Sequence, residues 1–299
     1  MKTAIATDTN SGITRKEAEQ LGIYLLPMPV IIEEQCYFEG IDMTNEQLYK
    51  AIKMEKNVSS SQPSPGDILD LWKEIFQEGY NEIVYIPMTS GLSGTCQTAR
   101  ILSENFKSRV KVIDNHRISV TLRESVLEAK EMADAGQNAE QIKKYLENTA
   151  YQQSIFLTVS SLKYLKKGGR LSLSAAALGT VLNIKPILSI QGGKIELFSK
   201  SRGIKNSQKK MIEALKEDIS MRFLGIPKTQ LRIYTAGTLE RQEEITNWLN
   251  MVQNYFPDYE VRYFQLPCSI ACHVGVDCMG IGAVVHKLKD SDEYVKLEV

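Results

Sequence analysis

The segment from Asn81 to Arg100 constrains the fold more than any other part of the sequence. It begins with an apolar run, Ile83 to Ile86, which is rich in β-branched residues and predicts a buried strand. Small hydroxyl and glycine residues follow from Thr89 to Gly94, and a helical pattern starts at Thr95. Ser93 therefore stands at a helix N-terminus, where free N–H groups favour either a capping side chain or a bound anion.

The same order of strand, polar turn and helix recurs through the first half of the chain. Thr3 to Thr7 and Val110 to Ile113 are short apolar runs, and the polar turns Asp8 to Gly12 and Asp114 to His116 follow them. Alternating strands and helices predict a doubly wound, mainly parallel α/β sheet with helices on both faces. Because ligands bind at the carboxyl ends of such strands, we expect these turns and the one at Ser93 to share one edge.

A second polar segment in this half runs from Ser59 to Asp67. Ser64 as N-cap and Pro65 at the first helical position predict the start of a helix. Ser60 and Ser61 are not needed for that cap. They predict a loop with free hydroxyl groups, which is either solvated or used for binding.

The pattern changes near Ser154, where hairpins begin to alternate with helices. Lys185 to Ile190 and Lys194 to Lys200 predict two strands joined by a Gln-Gly-Gly turn. A short helix is predicted from Ala175 to Leu182, and longer helices and further strands follow. This order predicts an α+β domain with a mixed or antiparallel sheet. We therefore divide the chain into an N-terminal α/β domain, 1–153, packed on a C-terminal α+β domain, 154–299.

Charge and composition exclude several classes of protein. Lys plus Arg equals Asp plus Glu at 36 each, so the bulk charge favours neither nucleic acid nor an anionic membrane surface. No apolar run approaches the ~20 residues of a membrane span, and the N-terminal apolar stretch is too short for a signal peptide. Five cysteines without a secretion signal predict free thiols in a reducing cytoplasm.

Ser93 is a candidate catalytic nucleophile. Ser93 lies in Gly-Leu-Ser-Gly-Thr, which lacks the last glycine of a hydrolase nucleophile elbow. A serine esterase would also need His273 or His286 as its base, and this hypothesis stays open as an alternative.

A metal site is suggested by the cysteines at 268, 272 and 278 and by His273. Their spacing is not a usual zinc spacing, and adjacent side chains point apart if this segment is extended. We therefore predict that this segment binds no metal and that its cysteines are small buried thiols.

Arg170 and Arg202 lie in predicted loops of the second half, beside the glycines at 168, 169 and 203. Glycine allows the backbone to approach a ligand closely. Each arginine is therefore either a solvated cation or a partner for a phosphate or carboxylate group.

Four segments of the chain resemble the DegV family. They are Ala-Thr-Asp-Thr-Asn-Ser-Gly12, Ser-Ser-Gln-Pro-Ser-Pro-Gly-Asp67, Ser90-Gly-Leu-Ser-Gly-Thr-Cys-Gln-Thr-Ala99 and Leu165-Lys-Lys-Gly-Gly-Arg170. The resemblance covers nearly the whole chain, with the motifs in the right order. Two positions depart from the pattern: Ser60 replaces the usual threonine, and Val274 to Gly280 replaces a common Gly-Pro-Gly after the histidine.

DegV proteins resemble the fatty-acid-binding subunits of bacterial fatty acid kinase, which implies a carrier without enzymatic activity of its own. The resemblance implies that a long-chain fatty acid lies in an apolar tunnel between the two domains and that no cofactor is needed. It implies further that the carboxylate is presented to a separate ATP-dependent kinase subunit, giving an acyl-phosphate for phospholipid synthesis. A binding protein for another acidic small molecule, such as a phosphosugar, is the third hypothesis.

The resemblance also implies roles for particular residues. The carboxylate group would be bound by Ser93, Gly94, Ser60, Ser61 and His273. The kinase subunit or the new phosphate would be contacted by Arg170 and Arg202.

Overall fold

The computed structural model describes residues 2–177 and 184–287, and these form three β-sheets surrounded and separated by helices. The strands of the N-terminal half are β1 (Thr3–Asp8), β2 (Tyr24–Leu26), β3 (Pro29–Ile32), β4 (Gln35–Phe38), β5 (Val58–Ser60), β6 (Glu82–Ile86) and β7 (Val110–Val112). Those of the C-terminal half are β8 (Gln153–Thr158), β9 (Ile184–Ile190), β10 (Glu196–Arg202), β11 (Leu231–Gly237), β12 (Val261–Gln265) and β13 (Met279–Val285).

The described residues form eleven α-helices. In the N-terminal half they are α1 (Arg15–Leu21), α2 (Asn45–Lys53), α3 (Pro65–Gln77), α4 (Thr95–Ser103), α5 (Val120–Asp134) and α6 (Ala139–Asn148). In the C-terminal half they are α7 (Lys163–Gly168), α8 (Leu173–Ala176), α9 (Ile204–Met221), α10 (Gln242–Tyr255) and α11 (Cys268–Val274). Capping side chains mark the start of five of these helices, α1, α2, α3, α6 and α8. Ser64 caps α3 as predicted, since its side chain accepts a hydrogen bond from the Asp67 N–H.

The first sheet is parallel, with strand order β2-β1-β6-β7, and confirms the α/β fold of the N-terminal half. Side chains alternate along β6: Ile83 and Tyr85 pack with α3 and α4, whereas Val84 and Ile86 pack with α5. Helices therefore cover both faces, which explains why this strand is apolar at successive positions.

A separate three-stranded antiparallel sheet, with strand order β4-β3-β5, was not predicted. Ser60 lies at the end of β5 and pairs with Val30, so the predicted loop at Ser59 and Ser60 is wrong. Polar side chains at both positions hid the strand, because only its first residue, Val58, is apolar and buried.

The C-terminal half contains a mixed six-stranded sheet with the order β10-β9-β8-β13-β11-β12, as the predicted α+β class requires. Neighbouring strands are antiparallel except for β11 and β12, which are parallel. One face, which includes Ile233 and Ile281, packs against α9 and α10. The other face, which includes Tyr234 and Val284, packs against the N-terminal half.

Helix α5 lies between the two large sheets, and its residues from Val120 to Ala129 are all buried. It carries Arg123, Glu124 and Glu128 inside this layer, each with a polar or charged partner from elsewhere in the chain. The interface between the halves is therefore apolar with a few paired charges. The boundary at residue 153 remains a prediction, and β8 begins there.

Two local predictions in the C-terminal half need correction. The segment from Cys268 to Val274 is helix α11 and is not extended. At its N-terminus the Cys268 N–H donates a hydrogen bond to the Glu39 carboxylate. The helix predicted from Ala175 to Leu182 begins earlier, at Leu173, where Ser172 caps α8. Positions 178–182 of that prediction lie outside the described residues.

Candidate functional site

Three polar turns meet at the carboxyl edge of the parallel sheet, as the sequence predicts. Asp8, at the end of β1, accepts a hydrogen bond from the Met88 N–H at 3.1 Å. Asp114, after β7, accepts one from the Ser90 N–H at 3.2 Å. These carboxylates hold the turn before α4 in place. Burial raises the pKa of Asp8 to about 6, although its hydrogen bonds from Met88 and Asn10 oppose the rise.

Ser93 lies immediately before α4 and faces a cavity between the two halves of the chain. Its Oγ accepts a hydrogen bond from the Thr95 N–H at 3.2 Å and lies 2.8 Å from Thr95 Oγ1. Gly94 is the N-cap residue, and no side chain caps the helix there. The helix therefore presents the positive end of its dipole beside the Ser93 hydroxyl group.

Gly94 is closely covered by the amide group of Gln62. A β-carbon at this position would lie 2.7 Å from Gln62 Oε1, so glycine lets the two segments approach. The Gln62 Nε2 donates to Thr98 Oγ1 of α4 at 3.2 Å, which fixes the chain next to Ser61 against that helix. Ser61 itself lines the cavity.

His273, on α11, also lines the cavity and lies next to Ser60. Its Nε2 is 2.8 Å from Ser60 Oγ, a contact across 213 positions of sequence. Burial, with a smaller contribution from the positive charge of Arg170, lowers the pKa of His273 to about 4. The imidazole is therefore neutral near pH 7 and keeps one nitrogen as donor and one as acceptor.

Arg170 is the cation at this end of the cavity. Its guanidinium donates to the Leu92 carbonyl oxygen through Nε at 3.3 Å, and to the Gly168 carbonyl oxygen. These bonds join the segment after α7 to the turn that carries Ser93. A β-carbon on Gly168 would lie 2.5 Å from His273 Nδ1, so this glycine allows the imidazole to sit beside the guanidinium.

Arg202 occupies a different place from the other predicted site residues. The loop predicted at Arg202 is wrong, because this residue is the exposed last residue of β10 and pairs with Ile184 of β9. It is not among the described residues that line the cavity. It borders an open groove with Lys200, Lys209 and Lys210. The structure thus brings Ser60, Ser61, Ser93, His273 and Arg170 together and leaves Arg202 on the surface.

Most of the remaining lining consists of apolar side chains from both halves, and its other polar residues are Asn10, Gln62, Ser119 and Ser269. The N-terminal half supplies Met28, Met88, Leu92, Ile118 and Val120. The C-terminal half supplies Ile155, Leu157, Leu165, Ile190, Ile195, Tyr234, Ala236, Leu266, Ile270 and Val274. Hydroxyls, an imidazole and a guanidinium are gathered at one end, and a long apolar lining extends from them. This arrangement suits an amphipathic ligand.

Sequence reasoning missed a buried carboxylate, Glu39, behind the cavity wall. It accepts hydrogen bonds from Thr9 Oγ1 at 2.6 Å, from Ser269 Oγ at 2.9 Å, and from the Cys268 N–H. Burial raises the pKa of Glu39, and these donors oppose the rise. The bonds orient Ser269 and, through it, Asn10, and both of these residues line the cavity. The sequence gives no signal for Glu39, because its partners are up to 230 positions away.

The geometry does not assemble a catalytic triad on Ser93. Its Oγ contacts Thr95, while His273 contacts Ser60 and His286 contacts Glu124 in another cluster. In the part of the chain that the structure describes, no group of three or more metal-ligating side chains is found either. Burial raises the pKa of the Cys278 thiol to about 12, so this side chain is a neutral buried thiol near pH 7.

Fold and site together define an α/β protein with a cavity between its two packed halves. The chain belongs to the DegV family, described as an uncharacterised protein family, whose sequence profile matches residues 2–286. A DegV domain-containing protein of Staphylococcus aureus is 31% identical over 284 residues, covering 94% of this chain and 98% of the relative.

Solved structures show the same fold. A DegV protein of Bacillus subtilis, described as a fatty acid binding protein, matches with a TM-score of 0.83 and 27% identity, covering 95% of this chain and 99% of that one. A fatty-acid-binding DegV family protein of Streptococcus agalactiae matches with a TM-score of 0.85 and 25% identity, covering 96% and 100%. Within residues 2–177 and 184–287, no helix has the length and hydropathy needed to cross a membrane.

Proposed function

We propose that this protein binds a long-chain fatty acid, with the carboxylate at Ser93 and the acyl chain along the apolar lining. The observation that carries the proposal is the division of one cavity into a polar end and an apolar remainder. Similarity to DegV proteins described as fatty acid binding, such as that of Bacillus subtilis, supports it.

The physical chemistry of the cavity fits this ligand. Burial of each methylene contributes ~0.8 kcal/mol, so ten buried methylenes give a gross gain of ~8 kcal/mol before the cost of ordering. A carboxylate is expensive to bury without partners. Ser60, Ser61, Ser93, His273 and the helix start at Gly94 would supply hydrogen-bond donors and a favourable dipole, and Arg170 would supply a positive charge.

The proposal extends to the fate of the ligand. The protein acts as a carrier in the cytoplasm, and a separate ATP-dependent kinase subunit phosphorylates the bound carboxylate to an acyl-phosphate for phospholipid synthesis. Arg170 stands at the polar end of the cavity, and Arg202 stands on a basic surface groove with neighbouring lysines. A phosphate group or an acidic partner surface would complement these cations.

The test combines mass spectrometry with a matched pair of serine variants. Native mass spectrometry, followed by organic extraction, is expected to show a stoichiometric fatty acid on the wild-type protein. Ser93→Ala should weaken fatty-acid binding by about 10- to 100-fold, the effect of losing one hydrogen bond to a charged group. Ser90→Ala is the control, because Ser90 is an exposed residue of the same turn and does not line the cavity.

Three results would count against the proposal. A protein that is purified empty and does not bind added fatty acid would exclude fatty acid as the ligand. Binding of a phosphosugar instead would show that the ligand is another acidic small molecule. Covalent labelling of Ser93 by a fluorophosphonate would favour a serine esterase. If fatty acid binds but a fatty acid kinase subunit with ATP forms no acyl-phosphate, the carrier stands and its kinase role fails.

A further inference from the structure

Two glycines on one face of β13 have no role in the site described so far. Gly280 and Gly282 both line the cavity, and Val284 continues the same face into the core. Glycine inside a strand weakens it and often marks a close approach by a ligand or another backbone. Neither glycine has a positive φ, so the backbone conformation does not require glycine there.

The neighbouring strands carry side chains at the same level. Gly280 lies between Leu157 of β8 and Ala236 of β11, and Gly282 lies between Ile155 and Tyr234. The centre of the cavity floor is therefore a strip without side chains, bordered by apolar residues. The strip ends at the next pair in the register, Val284 and Gln153, and neither of these lines the cavity.

The turn that carries Ser93 lies over a different part of the C-terminal sheet from Tyr234. The turn that carries Ser93 rests on the β9–β10 hairpin, where Thr89 Oγ1 donates to the Gly192 carbonyl oxygen at 2.6 Å. Strands β8 and β13 separate this edge from β11. With ~4.8 Å between strands, β13 lies ~10 Å and β11 ~14 Å from β9.

Tyr234 closes the cavity beyond the glycine strip. Its hydroxyl donates to Glu124 at 2.6 Å, and its ring packs edge-to-face on Phe264 with centroids 5.4 Å apart. The same residue borders a polar groove with Glu124 and His286 on the other side. The ring therefore separates the apolar cavity from charged groups.

We propose that Gly280 and Gly282 are the acyl-specificity residues of this cavity, because their strip is the floor that an acyl chain crosses on its way from the polar end to Tyr234. This inference rests on the proposed function and adds to it the residues that select for chain length. An extended chain of ~1.5 Å bonds advances ~1.25 Å per carbon, so it reaches β13 at roughly the eighth carbon.

Chain length therefore separates ligands that cross the strip from ligands that do not. Octanoic acid would end at the edge of the strip, whereas palmitic acid would cover it. A methyl group added to the strip would obstruct only the longer acid. Each methylene that is displaced from the apolar lining lowers affinity about fourfold, the fold-change that corresponds to ~0.8 kcal/mol.

The experiment measures affinity for both acids on the full chain carrying Gly280→Ala. A β-carbon there would lie 3.3 Å from the Ala236 carbonyl oxygen and 3.5 Å from that of Phe156, so small shifts accommodate it. Palmitic acid is expected to bind at least tenfold more weakly, and octanoic acid within about twofold of wild type. Gly282→Ala serves as a second variant with the same expected difference between the two acids. Its β-carbon would lie 3.0 Å from the Ser154 carbonyl oxygen, so the backbone has to shift more there than at Gly280.

Ala283→Gly is the matched control, since Ala283 is buried on the opposite face of β13 and faces α9 and α10. It should leave the ratio of the two affinities unchanged. Equal losses for both acids in the alanine variants, no loss for either, or unfolding of both variants would show that the glycines serve packing and would overturn the inference. A wild-type protein that binds neither acid would overturn the proposed function as well.

Discussion

Two histidines join the halves of this protein, the half-buried His273 and the buried His286, and their surroundings are opposite in charge. His273 of α11 contacts the Ser60 hydroxyl group of β5, with Arg170 as the nearby charge. His286 follows β13 and contacts Glu124 of α5 at 2.8 Å, with Glu131 at 3.6 Å. Desolvation disfavours the charged form of both imidazoles, so the charged neighbours decide whether each one carries a proton.

The pKa values follow from these partners. Burial lowers the pKa of His273 to about 4, and no carboxylate opposes this. At His286 burial also lowers the pKa, but the hydrogen bonds and charges of Glu124, Glu131 and Glu128 raise it to about 10. Near pH 7 the first histidine is neutral and available for ligand hydrogen bonds. The second is an imidazolium that holds α5 against the end of β13.

Glu124→Gln has the largest expected effect, because it leaves the buried His286 imidazolium without its closest carboxylate. We expect the free energy of unfolding at pH 7 to fall by about 3–5 kcal/mol in urea titrations, the usual effect of breaking a buried ion pair. The folded pKa of His286 lies above its unfolded value of about 6.5. Its stabilisation is therefore complete below pH ~6.5 and is lost as pH rises towards 10.

Glu124→Gln should also flatten the loss of stability between pH 7 and pH 10. Glu140→Gln is the control, because Glu140 pairs with Lys111 at 2.8 Å on the exposed surface. That variant should change stability little and keep the wild-type pH profile. An unchanged profile in Glu124→Gln would show that the carboxylate does not set the protonation of His286.

His273→Gln tests the neutral histidine. The folded pKa of His273 lies below its unfolded value, so protonation favours the unfolded chain, and stability is lost as pH falls from 6.5 to about 4. We expect the wild type to lose up to about 3 kcal/mol relative to His273→Gln over this range. Urea titrations of both proteins at several pH values measure the difference, and a constant difference would contradict a depressed pKa.

The smallest expected effect is that of Ser60→Ala, which removes the neutral partner of His273. The loss of one hydrogen bond between uncharged groups should lower the free energy of unfolding by about 1 kcal/mol. Ser59→Ala is the control, since Ser59 is the neighbouring residue of β5 and its side chain points to the other face of the sheet. Thermal unfolding of both variants provides the measurement. A larger loss for Ser59→Ala would mean that strand packing, and not the contact with His273, dominates this edge.

Much of the site could be predicted because its parts are local motifs. Ser93 before α4 and Arg170 after α7 stand where strand, turn and helix patterns place them, and the cavity lies beside both. The sequence identifies Ser60 as a candidate binding residue but predicts a loop there, because its strand has no alternation of apolar residues. The location of Arg202 outside the cavity was not predictable, since an arginine beside glycine has the same sequence pattern at the end of a surface strand and in a binding loop.

Most strands and helices and the family resemblance follow from the sequence alone, because strand periodicity, capping residues and turn glycines act over a few positions of the linear chain. The strand β5 is an exception, since its residues after Val58 are polar. The tertiary structure alone decided the charge states of the two histidines and the role of Glu39. Protonation depends on distances to groups that are 30 to 230 positions away, and only folding brings those groups within reach. The role of the β13 glycines, Gly280 and Gly282, is likewise decided by the tertiary structure. The space beside them depends on the elements that pack around the cavity.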